Sequence, residues 1–127
     1  MGFCKKEDIN IDITSNNWEV VKIKKQGESK YTKAGKSYII VFKNDGSFTL
    51  RLDVNTCYGN YKIIKSGSIK LDGVGCTEIC SDSDFAVDLA YLFPKMTNYY
   101  GKGKELILGR RILYLYMRGP GYYHLLA

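Results

Sequence analysis

Short apolar segments separated by turn residues run through most of this 127-residue chain. The clearest two are residues 38–42 and 48–52, which flank the turn sequence Asn44-Asp45-Gly46. Because Asp-Gly accepts the positive φ angles of a tight hairpin, these two segments are predicted to pair as antiparallel strands. Similar segments recur about every ten residues, which favours a meander, a sandwich or a barrel over a parallel sheet.

The residue types favour strands as well. The chain has 11 Tyr and 5 Phe, together with many Ile, Val and Thr residues, and such side chains pack well on a pleated surface. At 127 residues it is long enough for one domain with a core and too short for two ordinary domains. We therefore predict a single, mainly β, antiparallel domain of seven or eight strands.

One helix interrupts the strands. Ser81 or Ser83 is suited to cap its start. The apolar residues that follow recur at helical spacing and are predicted to face the core: Phe85, Leu89, Leu92, Phe93 and Met96. Pro94 has no amide donor, so the helix is predicted to end or bend near Leu92 or Phe93.

The net charge of +6 does not by itself indicate a nucleic-acid partner. Much of the excess alternates with apolar residues or lies in predicted loops: Lys22, Lys24, Lys25, Lys30, Lys33 and Lys36. Lysine on exposed strands guards against edge-to-edge pairing, and no nucleic-acid motif accompanies the charge. We therefore predict no nucleic-acid partner. The sequence contains no apolar run of about 18 residues, the length that would predict a transmembrane helix.

The start of the chain resembles the mature end of a bacterial lipoprotein. Cys4 is followed by the charged residues Lys5 and Lys6 in a polar stretch, so Cys4 is a candidate lipidation site. Phe3 departs from the small residue expected before such a cysteine, and a free thiol is the alternative. On this interpretation residues 1–16 are a tether and residues 17–127 form the domain.

The sequence offers no clear catalytic centre. His124 is the one histidine, and no serine lies in a nucleophile-elbow motif, so a histidine-based triad is not indicated. An acidic group surrounds the start of the helix and is predicted to cap and solvate it rather than to bind calcium: Glu78, Asp82, Asp84 and Asp88. We predict a protein that is not an enzyme and needs no metal or cofactor.

The cysteines other than Cys4 lie between residues 57 and 80. A zinc site would need more His or Cys ligands at suitable spacing than Cys57, Cys76 and Cys80 supply. In an oxidising compartment the first candidate is a Cys57–Cys80 disulfide, and Cys57–Cys76 is the alternative. Either bond would link a predicted strand to the segment before the helix.

Several tyrosines are candidates for a binding surface. Neighbours along a strand point to opposite faces, so some of these rings should be exposed, and an exposed ring can stack on a sugar or anchor a protein partner. Barrel packing with scattered surface tyrosines is the alternative. The candidates are Tyr99, Tyr100, Tyr114, Tyr116, Tyr122 and Tyr123.

The order of these features resembles the META domain, also called the HslJ-like family. The likeness spans roughly residues 18–116 and contains no catalytic signature. It rests on Asn55-x-Cys57-x-Gly59-x-Tyr61, Thr77-x-x-Cys80, the helix with Phe85 and Leu89, and then Tyr99 or Tyr100, Gly103, Leu106 and Leu108. Members often have a cysteine before the asparagine of the Gly-x-Tyr motif, whereas Cys57 follows Asn55 here.

The resemblance implies a partly open, lipocalin-like antiparallel barrel with one packed α-helix. It also implies an envelope location, lipid-anchored and periplasmic or outer-surface, and no known enzyme activity. The first expectation is thus a non-enzymatic envelope lipoprotein domain that binds or protects another envelope component. The second is a lipocalin-like binder of a small ligand or glycan, at the barrel mouth or on exposed tyrosines, and a hydrolase is a distant third.

Overall fold

The computed structural model describes residues 11–25, 27–77, 82–102, 104–110 and 113–119. Within these residues the chain forms nine strands and one α-helix. The strands are β1 (Asn17–Lys24), β2 (Thr32–Lys33), β3 (Ile39–Phe42), β4 (Ser47–Arg51), β5 (Thr56–Lys65), β6 (Ser68–Cys76), β7 (Asn98–Lys102), β8 (Glu105–Arg110) and β9 (Leu113–Arg118). The helix α1 (Asp84–Leu92) follows β6 and continues into one 3₁₀ turn, Phe93–Lys95.

Eight of the described strands close into an antiparallel barrel. Neighbours follow chain order from β3 to β9, and β1 pairs with both β3 and β9, which closes the sheet. The short β2 adds to β1 beside β3. The narrowest seam lies between β6 and β7, which share the single pair Ser68↔Asn98. The predicted mainly β, lipocalin-like barrel with one helix is confirmed. The expectation that the barrel is partly open is wrong, because β1 pairs with β9.

The predicted hairpin is formed by β3 and β4. Phe42 pairs with Phe48 across its end, and Gly46 in the turn has a φ of 89°. Asp45 fixes this turn because one carboxylate oxygen accepts hydrogen bonds from both the amide and the hydroxyl of Ser47, at 2.9 and 2.6 Å. Local turn chemistry thus sets the register of this pair of strands.

The barrel interior is a packed aromatic core. Trp18, Phe42, Phe48 and Phe93 are each at most 1% exposed. Phe93 enters from the 3₁₀ turn, and its ring centre lies 4.9 Å from that of Phe48 in an edge-on contact. Leu89 of α1 is also fully buried. These side chains occupy the space in which a lipocalin-like barrel would hold a ligand.

The helix has the start and the end that the sequence predicts. The Ser83 hydroxyl caps it by accepting a hydrogen bond from the Ala86 amide at 3.3 Å. The regular helix ends at Leu92, and Pro94 lies in the 3₁₀ turn that follows. Phe85 is only partly buried and stacks on Tyr38, with ring centres 5.2 Å apart.

The segment before β1 packs against the barrel. The Trp18 indole donates a hydrogen bond to the Ile13 carbonyl at 2.8 Å, and Ile13 is 3% exposed. The core therefore includes Ile13, which precedes the predicted domain boundary at residue 17. Ile11 packs closely on Gly101, because a Cβ added to Gly101 would lie only 2.5 Å from the Cδ1 atom of Ile11. Gly101 lies within β7, which continues to Lys102.

Candidate functional site

A disulfide joins the two longest strands. Cys57 in β5 and Cys76 in β6 are direct cross-strand partners with Cα atoms 4.0 Å apart. The first candidate pairing, Cys57 with Cys80, is therefore wrong, and the alternative is confirmed. Strand register decides the outcome because it places Cys76 opposite Cys57, whereas Cys80 follows the strand and lies outside the described residues.

The Gly-x-Tyr motif of β5 is part of the core. A Cβ on Gly59 would lie 2.7 Å from the Phe48 ring and 2.9 Å from the Asp72 carbonyl oxygen, so only glycine fits there. The Tyr61 ring meets that of Phe42 edge-on at 5.2 Å, and its hydroxyl donates to the Lys43 carbonyl at 2.6 Å. The motif therefore has a structural role in joining β5 to the β3–β4 hairpin.

Asp82 connects the helix start to the beginning of β5. Its carboxylate accepts hydrogen bonds from the Val54 amide and the Asn55 side chain, both at 2.7 Å. The Thr77 hydroxyl donates to the Asn55 side-chain oxygen at 2.6 Å. Burial would raise the pKa of Asp82, but the hydrogen bonds from Asn55 and Val54 lower it below its usual range. Asn55 and Thr77 of the sequence motif thus serve the same structural link.

Asp53 is a largely buried carboxylate near the start of the helix. Its side chain is 7% exposed, and one oxygen accepts a hydrogen bond from the Ser83 amide at 2.7 Å. The other oxygen receives no hydrogen bond from the described part of the chain and lies 3.9 Å from the Lys36 ammonium. Burial would raise the pKa of Asp53, but the hydrogen bond from Ser83, the nearby Tyr38 hydroxyl and the charge of Lys36 lower it.

A small cleft of about 260 Å³ opens beside Asp53. Its lining combines cationic, hydroxyl and apolar side chains: Lys36, Ser37, Ile39, Arg51, Leu52 and Asp53. The Asp53 carboxylate is held by the start of α1, so its position depends on the helix. The bonds made by Asp53 support the fold, and the cleft is a secondary candidate for ligand binding.

The free energy of unfolding is expected to fall as the pH drops below about 4. The pKa values of Asp53 and Asp82 in the folded protein are lowered, so these groups bind protons in the unfolded chain at a higher pH than in the folded protein. The stability that they contribute is therefore lost as the pH falls through their folded-state pKa values. Asp53→Asn should flatten this acid dependence and should cost about 1–3 kcal/mol at neutral pH. Urea unfolding from pH 7 to pH 3 measures both effects, and an unchanged acid slope in Asp53→Asn would contradict this role.

A concavity lies on the outer side of β5 and β6. It has a volume of about 490 Å³, and its lining residues are Tyr58, Gly59, Asn60, Gly73, Gly75, Cys76 and Thr77. Tyr58 is 55% exposed and pairs directly with Gly75. A Cβ on Gly75 would have no atom within 4 Å, so this position is open to solvent. We call this concavity the β5–β6 groove.

Of the candidate tyrosines, the structure describes the side chains of Tyr99 and Tyr100. Tyr99 is 5% exposed and belongs to the core, so its prediction as an exposed binding residue is wrong. It points inward from β7, and Tyr100 is partly buried. The backbones of Tyr114 and Tyr116 lie in β9, but their side chains are not described, and Tyr122 and Tyr123 lie outside the described residues.

Tyr58 was missed as a candidate although the sequence contains its signal. Cys57 is fully buried in β5, and side chains alternate along a strand, so Tyr58 points outward. Tyr91 on α1 is the other strongly exposed tyrosine of the described chain, at 64%. Tyr58 differs from it in lying beside a groove.

Two of the acidic residues near α1, Asp82 and Asp88, have structural partners. Asp88 forms an ion pair with Lys25 at 3.0 Å, and Asp82 is held as described above. Glu78 lies outside the described residues, as do His124 and Cys4. Within the described ranges no three His, Cys, Asp or Glu side chains are grouped to hold a metal ion. No helix in this part of the chain is long and apolar enough to cross a membrane.

The comparisons with known proteins identify a family but no individual relative. A family model described as META domain matches residues 11–114. The match includes Ile11, Ile13 and the whole β5–β6 hairpin, all of which contribute to the packing described above. Searches of curated proteins and of solved structures find no match.

Proposed function

The chain belongs to the META domain family, and from this premise we propose that it is a non-enzymatic domain of the bacterial cell envelope. Its function is to bind another envelope component through the outer surface of the barrel. The component is held at the β5–β6 groove, and the barrel supports that surface.

The filled barrel interior is the observation that carries this proposal. Trp18, Phe48 and Phe93 occupy the centre of the barrel and are each at most 1% exposed. A ligand pocket in a lipocalin-like fold needs several hundred cubic ångströms of apolar space. The β5–β6 groove supplies about 490 Å³ outside the barrel, next to the exposed ring of Tyr58. Binding is therefore assigned to the outer surface.

The proposed location follows from two cysteine features. The Cys57–Cys76 bond suits an oxidising compartment such as the periplasm, because cytosolic thiols are kept reduced. Cys4 is followed by a charged stretch and supplies the lipid anchor in this proposal. In this proposal the domain is attached to a membrane through that lipid.

Glycan binding is the second candidate function. Tyr58 offers an exposed ring of the kind on which sugars stack, and the exposed Asn60 lies in the same groove. Such a ligand would occupy the same surface as a protein partner, so one experiment distinguishes the two.

Photo-crosslinking in the native envelope tests the proposal. A photoreactive phenylalanine analogue at Tyr58 is expected to give a discrete adduct, whereas the same analogue at Tyr91 is the matched exposed control and should give none. A protein adduct supports the first function, and a saccharide adduct supports the second. Equal labelling from both positions, or none from Tyr58, would contradict binding at the groove. Cys4→Ser should release the protein from the membrane fraction, and its retention there would contradict the anchor.

A further inference from the structure

Over most of its length, one edge of β6 has no strand partner in the described part of the chain. β6 pairs with β5 from Ser68 to Cys76, but on its other side it shares only the pair Ser68↔Asn98 with β7. Beyond that pair, the Ile69 amide donates to the Thr97 carbonyl at 2.9 Å. From Lys70 onward, no described strand lies against this edge.

The direction of the backbone groups follows from the hydrogen bonds of β5. The Tyr61 amide donates to the Gly46 carbonyl at 2.8 Å, so the backbone groups of Tyr61 point toward β4 and not toward β6. Leu71 is the residue of β6 opposite Tyr61, and its N–H and C=O therefore point away from β5. At the far end of the hairpin, the Thr77 amide donates to the Thr56 carbonyl at 3.4 Å. Hydrogen-bonded and non-hydrogen-bonded pairs alternate along antiparallel strands, so the neighbouring pair, Cys57 and Cys76, is a non-hydrogen-bonded pair. The backbone groups of Leu71 and Cys76 therefore face the open edge.

The β5–β6 groove lies beside the same edge. Gly75 lies between that edge and Tyr58, its partner in β5, and has no side chain to separate them. A Cβ added to Gly75 would have no atom within 4 Å. A strand added to β6 would place one of its side chains across Gly75 against Tyr58. Aromatic rings opposite glycine pack well in this way in sheets.

The charges around the edge favour an acidic occupant. Lys62, Lys65 and Lys70 of this hairpin are exposed, and Asp72 is the exposed acid among them. Lys62 and Lys70 are direct cross-strand partners on the outer face that also carries Tyr58. Like charges placed opposite each other are unfavourable, and a carboxylate beside them would relieve this repulsion.

We infer that the open edge of β6 from Lys70 to Cys76 binds an extended acidic segment of a partner protein by strand addition. The segment runs antiparallel to β6, bonds the edge-facing backbone groups of Leu71 and Cys76, and places an apolar side chain against Tyr58 over Gly75. Its carboxylates lie near Lys62 and Lys70. This inference deepens the proposed function by naming the chemistry of the partner.

A synthetic probe tests the inference on the full chain. The probe is the blocked, fluorescein-labelled heptapeptide Val-Thr-Val-Thr-Glu-Thr-Glu, which places apolar residues at Gly75 and carboxylates at Lys70 when antiparallel. Fluorescence anisotropy is expected to show saturable binding that weakens with salt. A probe N-methylated at alternate amides should bind at least about tenfold more weakly, because it loses backbone hydrogen bonds.

Two variants locate the site. Gly75→Leu puts a side chain into the groove at a position where a Cβ has no atom within 4 Å, and it should weaken probe binding about fivefold. Tyr58→Ala should have a similar effect. Tyr91→Ala is the matched control and should bind as the wild type does. Equal binding of the N-methylated probe, or no saturable binding of the parent probe, would overturn strand addition. A Tyr58 adduct in the envelope without probe binding would defeat this inference alone, whereas probe binding without any adduct would defeat the proposed function.

Discussion

Replacing Trp18 with alanine is expected to lower the free energy of unfolding by about 3–5 kcal/mol, the largest single effect expected in this domain. Trp18 is 0% exposed, so the change leaves a cavity in the barrel core. It also removes the indole donor at 2.8 Å from the Ile13 carbonyl, which is then left without that partner. Urea unfolding monitored by far-ultraviolet circular dichroism measures the loss.

Trp18→Phe separates the two contributions and guards against a variant that fails to fold. Phenylalanine keeps most of the apolar volume but cannot donate to Ile13, so its cost should be smaller than that of alanine. Because domains of this size are stable by only about 5–15 kcal/mol, Trp18→Ala will be close to unfolding. A loss below about 1 kcal/mol for Trp18→Ala would contradict the packed interior.

Removal of the disulfide should give the second large loss. The double variant Cys57→Ala, Cys76→Ala opens a loop with a sequence separation of 19 residues, and the expected destabilisation is about 3 kcal/mol. The loss arises mainly because the unfolded chain regains conformational freedom. Urea unfolding of the oxidised wild type and of the double variant provides the comparison.

Cys80→Ser is the control for the identity of the bond. Because Cys57 bonds to Cys76, Cys80→Ser should keep the disulfide and nearly all of the stability. Reducing agent should then destabilise Cys80→Ser as much as it destabilises the wild type. If Cys80→Ser alone removed the effect of the reducing agent, the pairing described here would be wrong.

Local signals in the sequence predicted the elements that depend on neighbouring residues. The Asp45-Gly46 turn defined the β3–β4 hairpin, Ser83 defined the helix start, and Pro94 defined its end. Each of these depends on backbone conformation or hydrogen bonding within a few residues. Their physical cause is therefore visible before the fold is known.

Features that depend on register or on barrel closure were not predictable in this way. Cys76 bonds to Cys57 because the ladder of β5 and β6 places them opposite each other. Tyr99 is buried because β7 turns it inward beside Leu108, its partner in β8. Ile13 joins the core only because the closed barrel presents Trp18 to it. A single sequence holds no direct record of such distant contacts.

The candidate site shows the same division. Alternation along β5 is sufficient to turn Tyr58 outward once Cys57 is known to be buried. The groove beside Tyr58 also needs Gly75 opposite it and a β6 edge without a partner strand among the described residues, and both follow from strand order. The binding surface is therefore a product of topology, whereas its individual residues are ordinary strand residues.

Amide hydrogen exchange on the full chain, with and without the valine–threonine–glutamate probe, tests the central claim that binding occurs on the outer β5–β6 surface. The probe is expected to slow exchange of the edge-facing Leu71 and Cys76 amides. Exchange in the barrel core, for example at Leu50 and Leu108, should not change. Protection that appears instead in α1, or unchanged exchange at the β6 edge when the probe is saturating, would contradict binding at this surface.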